Sequence, residues 1–129
     1  MLSVEAESVL LHQDSRGSVF EPLDPERLRS QRNVHVVITE PGHVRGNHYH
    51  TRETEVLTVQ GPALVRLREG QGLRDIIVSE GTVSRFIVPP GVAHAIQNIG
   101  SRPTLLVAFR DRAYDPASPD VVREVLIED

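Results

Sequence analysis

This sequence predicts an all-β domain, an antiparallel sandwich or barrel. Three observations carry the prediction. Nine Gly and nine Pro in 129 residues interrupt the chain too often for long helices. Between them lie brief runs rich in Val, Ile and Leu, the residues that suit a pleated, half-buried strand. In one run, 63–68, Ala63, Val65 and Leu67 share one face while Arg66 and Arg68 share the other, which is period-two alternation with one side buried. Many short strands with frequent turns close into barrels or stack as sandwiches. The length suits a single domain over 1–129 with one core.

The elements follow in order. Asp24 followed by Pro25 is a helix-start signal, so 24–31 (DPERLRSQ) is expected to form a single helical turn. Strands are expected at 34–39 (VHVVIT), 55–60 (EVLTVQ), 63–68 (ALVRLR), 75–79 (DIIVS), 85–88 (RFIV), 94–98 (HAIQN) and 104–110 (TLLVAFR). Turn chemistry separates them: Pro41-Gly42, Gly61-Pro62, 69–72 (EGQG), Glu80-Gly81, 89–91 (PPG) and Gly100-Ser101. Residues 111–120 (DRAYDPASPD) read as a loop, and the apolar alternation from Val121 to Ile127 as an edge strand or a short helix.

Composition removes several chemistries. The formal charge of −4 disfavours nucleic acid as a partner, since phosphate binding needs a basic surface. No apolar run spans a bilayer, and the N-terminus lacks the basic start of a signal peptide, so no membrane association and a cytoplasmic location are expected. There is no Cys, hence no disulfide, thiolate nucleophile or sulfur-rich zinc site. All 14 basic residues are Arg, which excludes Schiff-base catalysis and a Walker-type lysine.

The stretch RGNHYHTRETEVLTVQG, 45–61, carries the strongest chemical signal. Residues two apart on a strand point the same way, so His48 and His50 project together and Tyr49 opposes them. Residues 51–54 form a turn, and Glu55 opens the next strand within reach of the same point. Such N and O ligands suit zinc, iron, manganese or nickel. By itself an H-x-H on a strand is more often a pair of surface or hydrogen-bonded histidines than of ligands. A second segment, PPGVAHAIQN at 89–98, brings another strand that begins with His94 and carries Asn98 further along. In a closed barrel, inward positions of distant strands converge.

Together these segments resemble the two motifs of the cupin superfamily. Gly42, His48, His50 and Glu55 match the first, with Gly61 one residue early; Pro89, Gly91, His94 and Asn98 match the second, with Gly81 two residues too far upstream. The resemblance implies a cupin jelly-roll β-barrel (a double-stranded β-helix) with a divalent metal, zinc foremost, held by His48, His50, Glu55 and His94. A narrower likeness covers most of the chain. DSRGSVFE at 14–21 resembles the D-x-RG-x-F-x-E segment of nucleotide-sugar epimerases. PGHVRGNHYH and FRDRAYDPASPD resemble the C-terminal cupin domain of capsular polysaccharide enzymes of the CapF type. That likeness implies epimerisation of a nucleotide-linked 4-keto-6-deoxy sugar through an enolate, in polysaccharide or glycoside biosynthesis. A separate reductase is then expected to act downstream.

For that chemistry, His35 and Tyr49 are the candidate proton carriers. His35 points into the barrel or lies on a solvated strand, and Tyr49 is expected on the face away from the ligands. Arg45 and then Arg16 are candidates for the substrate diphosphate, which Arg grips bidentately, and Asn98 completes the substrate-facing set. Glu53 reads as a residue that supports a ligand from behind, as a rim residue or, foremost, as a solvated turn; His43 reads as exposed, and Arg66 and Arg68 as barrel-mouth or edge charges. Two other readings compete: a metal-dependent cupin dioxygenase or lyase, and a non-enzymatic sugar-binding cupin. A homodimer is expected, because small barrels cover their edges that way.

Overall fold

The computed structural model of the chain describes residues 3–129. Its strands are β1 (Glu5–Val9), β2 (His12–Asp14), β3 (Gly17–Val19), β4 (Asn33–Thr39), β5 (Val44–His50), β6 (Glu55–Gln60), β7 (Ala63–Glu69), β8 (Gly72–Val78), β9 (Val83–Val88), β10 (Ala93–Asn98), β11 (Thr104–Arg110) and β12 (Val121–Arg123), with α1 (Pro25–Leu28) between β3 and β4. Two five-stranded antiparallel sheets, ordered β1-β9-β6-β11-β4 and β12-β5-β10-β7-β8, face one another in a jelly roll. The core lies between them: Leu57, Val59, Val65, Leu67, Phe86, Val88, Ile96 and Leu106. Ala63, Val65 and Leu67 are buried as their spacing predicts. Arg66 and Arg68, outward, pair with Asp75 and Glu124.

All seven predicted strands form. The helical turn forms at Pro25–Leu28, where the Asp24 carboxylate accepts from the Arg27 N–H at 2.9 Å. The loop then lays Leu23 over Val56, Val107 and Phe109 on the outside of the first sheet. Strand β8 begins before residue 75 because it pairs along the whole of β7, although its first residues are exposed and carry no alternation. The edge-strand alternative holds for Val121–Arg123. On β4 the apolar row Val34, Val36 and Ile38 faces outward and stays exposed, while His35 and Val37 face the barrel interior.

Strand β5 contains a β-bulge that the sequence analysis did not expect. His48 pairs with His94, but Gly46 pairs with Ala95 and Arg45 with Ile96, so Asn47 is an extra residue. Gly46 and Asn47 both have positive φ, 88° and 59°. Strict alternation would set Arg45 and His48 on opposite faces; the bulge sets both on the inner face, opposite the inward-facing Ile96 and His94.

Among the described residues, no helix is long and apolar enough to cross a membrane.

Candidate metal centre

Three strand ends meet at one end of the barrel. Strand β5 finishes with His48 and His50, β6 begins with Glu55, and β10 brings His94 opposite His48. One ligand atom from each of these four residues lies within 4.8 Å of the others. His50, Glu55 and His94 are only 3%, 2% and 1% exposed. The Nε2 atoms of His94 and His50 stand 3.0 and 3.5 Å from Glu55 Oε1. Neither makes a well-directed hydrogen bond, so both nitrogens are buried without a partner. Buried polar atoms are rarely left so, and a cation among them satisfies both. The Nδ1 of His94 lies 3.1 Å from the Val92 carbonyl, which leaves Nε2 to face the centre. The donor set and its orphaned nitrogens thus fit a divalent metal.

The electrostatics prepare the same ligands. Burial by itself raises the Glu55 pKa, but His50 and His94 reverse this and hold it well below the usual carboxylate range. Burial and the neighbouring His94 push His48 down to about 4, so its ring is neutral at pH 7. Burial opposes charge on His50 too, yet Glu55 and Glu53 together raise its pKa. Arg110, at the end of β11, donates from Nε to Glu55 Oε2 at 3.1 Å and lies 3.4 Å from Glu53 Oε1. Sequence analysis missed Arg110, although it continues the inward row Leu106, Ala108 at period two. Glu53 is a correction: it is 5% exposed rather than a solvated turn residue, and its Oε1 lies 2.9 Å from His50 Nδ1.

A cavity of about 180 Å³ leads to the cluster, lined among others by His35, Arg45, His48, Leu57 and Arg110. His35 and Arg45 therefore share the cavity with the ligands. Burial, then the Arg110 charge, lowers the His35 pKa and keeps its ring neutral. The other candidates lie elsewhere. Tyr49 sits on the opposite side of β5, paired with Val122 of β12. Arg16 is in the β2–β3 hairpin, its side chain 88% exposed and paired with Asp14. Asn98 closes the far end of β10 and is structural in this chain: its amide donates to the Thr39 and Arg102 carbonyls and its Oδ1 accepts from the Gly100 N–H. His43 is exposed beside Asp129.

A second recess, about 340 Å³, lies on the other side of His48, His50 and Arg110, walled by Arg52, Arg112, Tyr114 and Asp120. Asp120 ties this loop to the ligand turn, accepting from the backbone N–H of Thr51, Arg52 and Glu53 and from the Thr51 hydroxyl. Burial would raise its pKa, but these donors hold it far below the usual carboxylate range. A carboxyl with a depressed folded-state pKa stabilises above its unfolded value, about 4, and that stability fades as pH falls. Asp120→Ala should cost roughly 2 kcal/mol at neutral pH, since the Arg52 and Glu53 N–H groups and the Thr51 hydroxyl lose their acceptor, while the Thr51 N–H keeps the Asp120 carbonyl. Urea midpoints from pH 6 to 3 should show a constant gap between variant and parent down to about pH 4 and a narrowing gap below it.

Comparison with known proteins shows the family and the fold. A family model described as "Polysaccharide biosynthesis C-terminal domain" matches residues 12–122. A UDP-2-acetamido-2,6-beta-L-arabino-hexul-4-ose reductase of Pseudomonas aeruginosa is 28% identical over 87% of this chain and 30% of its own length. The spore coat polysaccharide biosynthesis protein SpsL of Bacillus subtilis is 27% identical over 93% of this chain and 86% of its own. Among solved structures, the capsular polysaccharide assembling protein CapF of Staphylococcus aureus superposes with a TM-score of 0.68 at 27% identity, over 92% of this chain and 33% of that one. The chain thus spans about a third of the reductase and of CapF.

Proposed function

The chain belongs to the polysaccharide biosynthesis C-terminal domain family, and from that premise we propose that it is an epimerase or isomerase of a nucleotide-linked 4-keto-6-deoxy sugar. The observation that carries this is the convergence of His48, His50, Glu55 and His94 at an open cavity that a neutral His35 also lines. His48, His50, Glu55 and His94 would hold a divalent cation, zinc first, which when bound would supply Lewis-acid charge to a substrate ketone.

The chain's own residues do the rest. Neutral His35 takes the acidic proton from the carbon next to the ketone. Solvent water returns a proton to the opposite face of that carbon and inverts it, and His35 gives its own proton back to solvent. Arg45, brought to the cavity by the bulge, faces the diphosphate. Arg110 holds Glu55 and Glu53 in place rather than touching substrate. The product is still a ketone, so reduction falls to a separate reductase acting next.

The protein works in the cytoplasm as a symmetric homodimer. Support for the dimer comes from two surfaces that one chain leaves bare, the exposed β2–β3 hairpin and the row Val34, Val36, Ile38. Light scattering should give twice the 14.3 kDa of one chain.

The central test is NMR in D2O with a UDP- or dTDP-linked 4-keto-6-deoxy sugar and zinc-loaded protein. Deuterium should enter next to the ketone without oxygen consumption, and His35→Ala should slow this by about 10²-fold or more. No wash-in with either nucleotide sugar, or uptake of O2, would refute the epimerase.

A further inference from the structure

Asn47 is the extra residue of the β5 bulge, and its hydrogen bonds all run to the C-terminal segment. Its Oδ1 accepts from the Leu126 N–H at 2.9 Å and the Ile127 N–H at 3.1 Å. Its Nδ2 donates to the Ile127 carbonyl at 2.9 Å, and its own carbonyl accepts from the Glu124 N–H at 2.9 Å. Arg66 donates to the Leu126 carbonyl at 3.2 Å, and Arg68 pairs with Glu124. Asn47 is 7% exposed and Ile127 is buried. Residues 124–127 therefore lie as a strap behind the strand that carries His48 and His50, outside the residues matched to the family.

The conformation under the strap is one that a side chain adopts reluctantly. A left-handed backbone crowds Cβ against the following carbonyl, and Asn tolerates it because its amide bonds locally. Here that amide bonds to the strap instead. The bulge also decides which way Arg45 faces, because a one-residue change of register reverses every side chain before it.

We propose that the 124–127 strap is a positioning element of the active site: by binding Asn47 it holds the bulge, and the bulge holds His48 and Arg45 on the cavity face. This rests on the metal-site reading above. Three variants test it: a chain ending at Arg123, Asn47→Ala, and Asn47→Gly, which keeps the positive φ but loses the side-chain bonds. Amide hydrogen exchange would be followed at 44–50 and, as a control in the opposite sheet, at 83–88. Zinc affinity would be measured by competition with a chromophoric chelator.

Exchange at 44–50 should speed up while 83–88 stays unchanged. Zinc should bind about tenfold more weakly, the scale of lost support around a ligating histidine. Unchanged exchange at 44–50, equal acceleration in both segments, or full zinc affinity on a loosened β5 would each overturn the proposal. Should the truncated chain not fold, Asn47→Gly decides on the same readouts. If the parent protein takes up no zinc, the metal reading fails, and the exchange comparison alone judges the strap.

Discussion

His94→Ala should leave a folded barrel that no longer retains a metal ion. The imidazole is 1% exposed, faces Glu55 at 3.0 Å, and is the candidate ligand contributed by β10. Without it the remaining His48, His50 and Glu55 come from the single chain segment 48–55. Zinc content by elemental analysis should fall from about one ion per chain to near zero after dialysis, since the site loses a coordinating nitrogen and Glu55 loses one of the two imidazoles that hold it ionised. Turnover should fall with it. If the cation supplies roughly 4 kcal/mol to the enolate-forming transition state, the loss is about 10³-fold. Far-UV circular dichroism should stay that of the parent. A His94→Ala protein that keeps its zinc would remove the four-ligand centre altogether.

Gly46→Ala should strongly destabilise the fold and the site together. A Cβ at residue 46 would stand 2.7 Å from the His94 carbonyl oxygen and 3.3 Å from Ala95 Cα, both main-chain atoms of β10 that cannot swing aside. The φ of 88° is a second obstacle. Left-handed strain and backbone displacement each cost of the order of 1–3 kcal/mol, so a loss of about 3 kcal/mol or more is expected. Because the displaced backbone belongs to His94, zinc affinity should fall along with the urea midpoint. Gly42→Ala is the control: its φ of 83° is similarly strained, but nothing lies within 4 Å of the added Cβ. It should lose stability from backbone strain alone. Equal losses at 42 and 46 would mean that the close approach to β10 does not matter.

The candidate ligands were legible in the sequence and much of their support was not. His48 and His50 share a face because alternation is a property of the strand itself, and the offsets to Glu55 and His94 match known motifs. Arg110 followed the same alternation, but nothing local shows that its guanidinium ends beside Glu55. The burial of Glu53 depends on the loop that Asp120 anchors, 67 residues further along. Val34, Val36 and Ile38 make an apolar row in the sequence, yet β4 is an edge strand whose outer side no described residue of this chain covers.

What the sequence determined by itself was local in range: strand alternation, turn chemistry, the Asp24 cap, and the residue types able to ligate a cation. Facing within one strand needs only a few neighbouring dihedral angles. What tertiary structure alone decided was register and enclosure. The bulge at Asn47, the turning of Arg45 into the cavity, the structural use of Asn98 and the position of Arg16 all depend on which strand lies next to which. Hydrogen-bond ladders between segments far apart in the chain settle that, and a single inserted residue in one ladder reorients everything before it.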